Sequence, residues 1–164
     1  MSETNAILIE PEHKLAGNSQ QTAKRAAEIV KKADPRFVVP DADERKALRM
    51  AFAARNYVLY GKAFDIVKIE DGEPFSLKVV DEIERDRDRL TIYEIKSTGK
   101  EGVNEKFERY FFSISTAELL TAQDLKAKYR FLFVNTKTGE KMELTLKEVL
   151  SRAKGFYPAW SIQF

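Results

Sequence analysis

The chain has 164 residues, 43% hydrophobic and 33% charged, with 28 basic against 26 acidic side chains and a net charge of +2. That is the profile of one soluble domain long enough to bury a core, and it excludes a polybasic surface that would attract nucleic acid everywhere. There is no cysteine and a single histidine, His13, so disulfides, thiolate metal sites and a cysteine nucleophile are out, and a histidine triad or His-rich metal centre has no basis. Any metal would be held by oxygen ligands, which points to Mg²⁺ or Mn²⁺.

Residues 1–20 are polar and broken by Pro11, Gly17 and Asn18, and read as a flexible tail. Residues 21–164 read as a single domain with its core at about 44–150. No run approaches the length of a membrane span, and the N-terminus lacks the basic and apolar regions of a signal peptide, so the expected location is the cytoplasm and no membrane partner is expected. Residues 20–33 form a helix pattern, with Ala23, Ala26, Ala27 and Val30 near one face, ended by Asp34-Pro35. Phe37-Val38-Val39 is a short apolar stretch stopped by Pro40. Asp41 or Asp43 caps a second helix running to about Tyr60, with Gly61 as its stop.

The character then turns to β. Residues 64–69 read as a strand, Glu70-Asp71-Gly72-Glu73 as a turn, and residues 75–79 as a second, cleanly alternating strand. The run of mixed charge at 81–89 reads as a solvated hairpin end. Residues 90–98 form a strand closed by a Ser-Thr-Gly signal. Residues 99–104 are a loop, and 111–114 a further short strand or extended segment. Ser115 or Thr116 caps a helix over about 117–126, with Glu118 near the capping-box position. Residues 129–135 are the most strand-like run in the chain, followed by a Thr138-Gly139 turn, a strand over 141–146 and a short helix over 147–153. Phe156, Tyr157, Trp160 and Phe164 at the end suit core or dimer packing. The plan is α+β, or mixed α/β, with one sheet.

Chemistry concentrates on Glu94-Ile95-Lys96. Side chains alternate along a strand, so Glu94 and Lys96 share one face while Ile95 takes the other. An isolated Glu-x-Lys is equally an ion pair worth little at a surface.

With Asp65 at a strand start, the pattern resembles the PD-(D/E)XK nuclease superfamily. It is most similar to the nuclease-like domain at the C-terminus of the plant protein NO VEIN and its bacterial relatives. The likeness spans roughly residues 61–135. It rests on Gly61-Lys62-Ala63-Phe64-Asp65-Ile66, Tyr93-Glu94-Ile95-Lys96-Ser97-Thr98, Phe111-Phe112-Ser113-Ile114-Ser115, Glu118-Leu119 and Tyr129-Arg130-Phe131-Leu132-Phe133-Val134. The resemblance implies a restriction-endonuclease-like core of helix, three-strand meander, helix and strand, here with extra N-terminal helices. It implies a Mg²⁺-dependent DNA endonuclease, with Mn²⁺ able to substitute, in a restriction, mobile-element or repair setting. Asp65, Glu94 and Lys96 would be catalytic, and Asp65, Glu94 and the Ile95 carbonyl would hold the metal. The gap from Asp65 to Glu94 is long for the family, so Asp81 or Glu82 stands as an alternative first acid. Glu44 is a candidate assisting carboxylate or simply a first-turn residue favoured by the helix dipole. Lys100, Lys106 and Arg109 are candidate phosphate contacts, or solvated charges. Gln123 could also lie near the site. DNA is the implied partner, with a homodimer or larger assembly if both strands are cut. The other reading is a non-catalytic nucleic-acid- or protein-binding module that keeps the nuclease fold.

Overall fold

The computed structural model describes residues 16–157. Among them, five strands form one sheet in chain order: β1 (Phe37–Val38), β2 (Ile66–Ile69), β3 (Leu90–Thr98), β4 (Tyr129–Asn135) and β5 (Lys141–Leu144). The β1–β2, β2–β3 and β4–β5 pairs are antiparallel and the β3–β4 pair is parallel. Five α-helices accompany it: α1 (Ala16–Ala33), α2 (Ala42–Ala53), α3 (Val80–Asp86), α4 (Thr116–Leu125) and α5 (Leu146–Arg152). The chain is therefore mixed α+β. No helix among the described residues is long and apolar enough to cross a membrane.

The period of two in β3 and β4 sorts their side chains onto two covered faces. Tyr93, Ile95, Leu132 and Val134 pack with Ala26 and Val30 of α1. Leu90, Ile92, Tyr129, Phe131 and Phe133 pack with the apolar stripes of α2, α3, α4 and α5. Strands buried on both sides read as nearly continuous apolar runs, which explains the strength of the 129–135 signal. Glu94 and Lys96 interrupt the second face, so they lie among the helices rather than in open solvent.

The helix starts follow their side chains. Asp41 with Glu44, Ser115 with Glu118, and Thr145 with Glu148 each form a reciprocal capping box, satisfying amide groups that the first helical turn leaves without partners.

Several expectations need correction. The first helix begins at Ala16, inside the stretch read as a tail, and the second ends at Ala53 rather than near Tyr60. Residues 75–79 are not a strand. Leu77 is buried in the helix-side core, the Ser76 amide donates to Glu82 Oε2 at 2.6 Å, and the chain enters α3 at Val80. The charged run that follows is α3 and a 3₁₀ turn rather than a hairpin end, because Ile83 is buried and Asp86 pairs with Arg89 at 2.9 Å one turn on. The three antiparallel strands are thus β1, β2 and β3, with α2 and α3 in their connections, and the modest stretch at 37–38 supplies the edge.

Residues 111–114 are irregular too. β3 already has β2 and β4 on its two sides, so this segment lies over the sheet. Phe112 meets Phe133 edge-on at 4.9 Å, and Tyr110 stacks on Phe112 at 5.6 Å. Phe156 and Tyr157 are exposed rather than part of the core. His13, Trp160 and Phe164 lie outside the described residues.

Candidate active site

The β2–β3 ladder ends at Ile66 and Tyr93. One residue further, the antiparallel register sets Asp65 across from Glu94, where facing residues share a side of the sheet. The Asp65 amide donates to the Tyr93 carbonyl at 2.8 Å, and Asp65 Oδ2 accepts the Ile95 amide at 2.9 Å. A carboxylate oxygen thus replaces the strand carbonyl that would otherwise pair with Ile95. The N–H and C=O of one strand residue point to the same edge, so the Ile95 carbonyl also faces the gap beyond β2.

Arg45 of α2 fixes the approach to Asp65. Its guanidinium donates to the carbonyls of Phe64 at 2.6 Å and Asp65 at 3.1 Å, with longer bonds to Pro40 and Gly61. It also lies 4.7 Å from the centre of the Phe64 ring. The Tyr129 hydroxyl donates to the Ala63 carbonyl from within the core. Two side chains from different elements therefore hold the backbone of the short segment before β2.

Glu94 is buried, 9% exposed. Lys96 Nζ lies 3.1 Å from Glu94 Oε1 and 2.7 Å from Glu118 Oε2 on α4. The pairing expected along the strand is real but buried, and it has a third member. Burial pushes the Glu94 carboxyl up to about 8, and the charges of Asp65 and Glu118 add to that, against the pull of Lys96. Asp65, Glu94 and Glu118 together also raise the Tyr129 phenol, already raised by burial. Two carboxylates thus hold one ammonium, with Asp65 engaged on the Ile95 amide beside them.

The donor chemistry fits a hard divalent cation. Mg²⁺ is commonly held by one or two carboxylates, with waters and substrate phosphate completing its octahedron. Asp65 and Glu94 are the carboxylates that would hold it. Among the described residues no three Asp, Glu, His or Cys side chains converge as a closed metal cage, and two carboxylates beside a strand carbonyl do not need one.

The remaining candidates fall elsewhere. Asp81 is exposed in the first turn of α3, and its neighbour Glu82 is engaged with Ser76. Glu44 closes the α2 capping box through the Asp41 amide at 2.8 Å. Gln123, Lys100, Lys106 and Arg109 are exposed. Sequence reasoning assigned Glu118 only a capping role and passed over Arg45 and Tyr129. The one signal for Glu118 was the Glu118-Leu119 helix start in the ordered series.

No family model, no curated protein and no solved structure matches the chain.

Proposed function

We propose that the protein is a Mg²⁺-dependent DNA endonuclease with a PD-(D/E)XK-type core, acting in a restriction, mobile-element or repair setting. One observation carries the reading: Asp65 and Glu94 face each other where the β2–β3 ladder ends, and Lys96 follows on the same side of the sheet. The antiparallel β1–β2–β3 pairing and the parallel β3–β4 pair with α4 in its crossover support it, with α2 and α3 interrupting the expected three-strand meander. A divalent cation held there would supply charge to a phosphoryl oxygen and acidify bound water. Asp65 and Glu94 would hold it, with the Ile95 carbonyl beside them. Lys96, an ammonium, would orient the attacking water and offset the negative charge that develops on phosphorus oxygens. Arg45 and Tyr129 keep the Asp65 segment from drifting, since small misplacements of catalytic groups are costly. A nick needs one such site and a double-strand cut needs two, so double-strand cleavage goes with a homodimer or larger assembly.

Supercoiled plasmid with Mg²⁺ or Mn²⁺ is the direct test. Asp65→Ala and Lys96→Ala are each expected to lower cleavage by about 10³-fold or more, with circular dichroism confirming that the variants fold. Cleavage by both variants at the wild-type rate would remove the assignment.

A second reading draws on the same geometry. Lys96 bonds both Glu94 and Glu118 and so acts as an internal cation that already satisfies them, as a non-catalytic binding module would have it. A structure determined after Mn²⁺ soaking separates the two. Metal on Asp65 and Glu94 supports the enzyme, whereas Lys96 still bridging both acids with no metal bound supports the module.

A further inference from the structure

Glu118 has a role that its place in a capping box does not explain. The chain contains an internal control, because three helices begin with the same reciprocal device. Glu44 and Glu148 perform it at the surface, their bonds to Asp41 and Thr145 exposed. Glu118 performs it while 7% exposed, and it alone of the three also accepts a lysine ammonium. Capping does not require burial, and burying a carboxylate is costly unless it is paired. The pairing with Lys96 is therefore the feature to explain.

Lys96 has two anchors, Glu94 at 3.1 Å and Glu118 at 2.7 Å. They come from different elements, β3 itself and the first turn of α4. Glu118 Oε2 is in turn oriented by the Ser115 amide at 3.1 Å, so its position is fixed by the helix start rather than by Lys96. On the metal-site reading given above, on which this inference rests, Glu94 is committed to a cation and can no longer restrain Lys96. A flexible four-carbon side chain with one anchor removed and a cation beside it would swing away. We infer that Glu118 is a positioning residue that holds Lys96 at the reacting centre once Glu94 is engaged by a divalent cation. It touches neither metal nor substrate.

The test follows Lys96 itself as well as cleavage. Acetic anhydride labelling of Lys96, read by mass spectrometry on the full chain, is compared with and without Mn²⁺ in wild type, Glu118→Ala and Glu118→Gln. Calorimetry measures Mn²⁺ binding on the same samples. In wild type, Lys96 stays slow to label in both conditions. In Glu118→Ala, adding Mn²⁺ raises its labelling about tenfold or more, because the second anchor is missing. Glu118→Gln keeps an acceptor oxygen for Ser115 and Lys96 and falls between the two, which separates lost positioning from a damaged helix start. The Mn²⁺ Kd stays within about threefold throughout, while kcat for plasmid cleavage falls by about 10²-fold in Glu118→Ala at unchanged KM.

Lys96 labelling in Glu118→Ala that ignores Mn²⁺ overturns the inference. So does a Kd weakened by about tenfold or more, which would make Glu118 a metal ligand instead. If wild type binds no Mn²⁺, the metal-site reading has failed and the inference falls with it. If wild type binds Mn²⁺ and Glu118→Ala leaves Lys96 protected, only the inference has failed.

Discussion

Replacing Glu94 with glutamine should stabilise the fold, and by an amount that depends on pH. The carboxyl ordinarily titrates at 4.5 and is held at about 8 by burial and by Asp65 and Glu118. Between those values the folded chain keeps a proton that the unfolded chain has released. The folded state then binds more protons, so stability falls as pH rises. Each pH unit across that window costs about 1.4 kcal/mol, which gives a ceiling of about 3 kcal/mol at pH 7 and about 5 kcal/mol above pH 8. Below pH 4.5 the cost vanishes. Glu94→Gln copies the protonated form in shape and never carries the charge. Urea unfolding followed by circular dichroism should therefore find the variant and wild type similar at pH 4.5 and the variant several kcal/mol more stable at pH 8. Saturating Mg²⁺ should narrow the gap by stabilising wild type, by about 2.7 kcal/mol at a hundredfold excess over Kd. A wild-type stability that is flat from pH 5 to 8, with Glu94→Gln the less stable protein at pH 8, would refute the reasoning. A buried acid kept at a cost to stability is what a site selected for function rather than for packing looks like.

Three further outcomes follow from the contacts. Arg45→Met keeps the stem but removes the donors that serve the Phe64 and Asp65 carbonyls. It should cost about 2–4 kcal/mol in urea unfolding and lower plasmid cleavage more than it lowers stability at working temperature. Tyr129→Phe deletes the bond to the Ala63 carbonyl and should cost about 1–3 kcal/mol, since it leaves a buried acceptor unpaired. Ser115→Ala removes the hydroxyl that accepts the Glu118 amide and so loosens the first turn of α4 that carries Glu118, while the backbone amide that bonds the Glu118 carboxylate remains. It should cost about 1 kcal/mol by thermal unfolding and reduce cleavage, whereas Thr145→Ala, at the corresponding place in α5, should cost similar stability and leave cleavage unchanged.

Much of the architecture was legible in the residues because it depends on short-range rules. The 129–135 strand is apolar on both faces and could only be a central strand. Ser115 and Glu118 announce α4 by their spacing, and Asp34-Pro35 ends α1. Residues 75–79 and 111–114 misled for one reason. Alternating apolar residues describe a segment that buries every second side chain, and Leu77 and Phe112 do so from irregular backbone packed against the core rather than paired into the sheet.

The sequence by itself determined that Glu94 and Lys96 share a face of one strand, since that follows from a period of two. Tertiary structure alone decided which acid joins them. Asp65 lies across from Glu94 because β2 and β3 pair in the Ile66–Tyr93 register, whereas Asp81 is carried off on an exposed helical turn. It also decided that the pair is buried and that Glu118 completes it. That contact spans 22 residues of chain, and it exists only because the crossover from β3 to a parallel β4 brings the first turn of α4 down over Lys96.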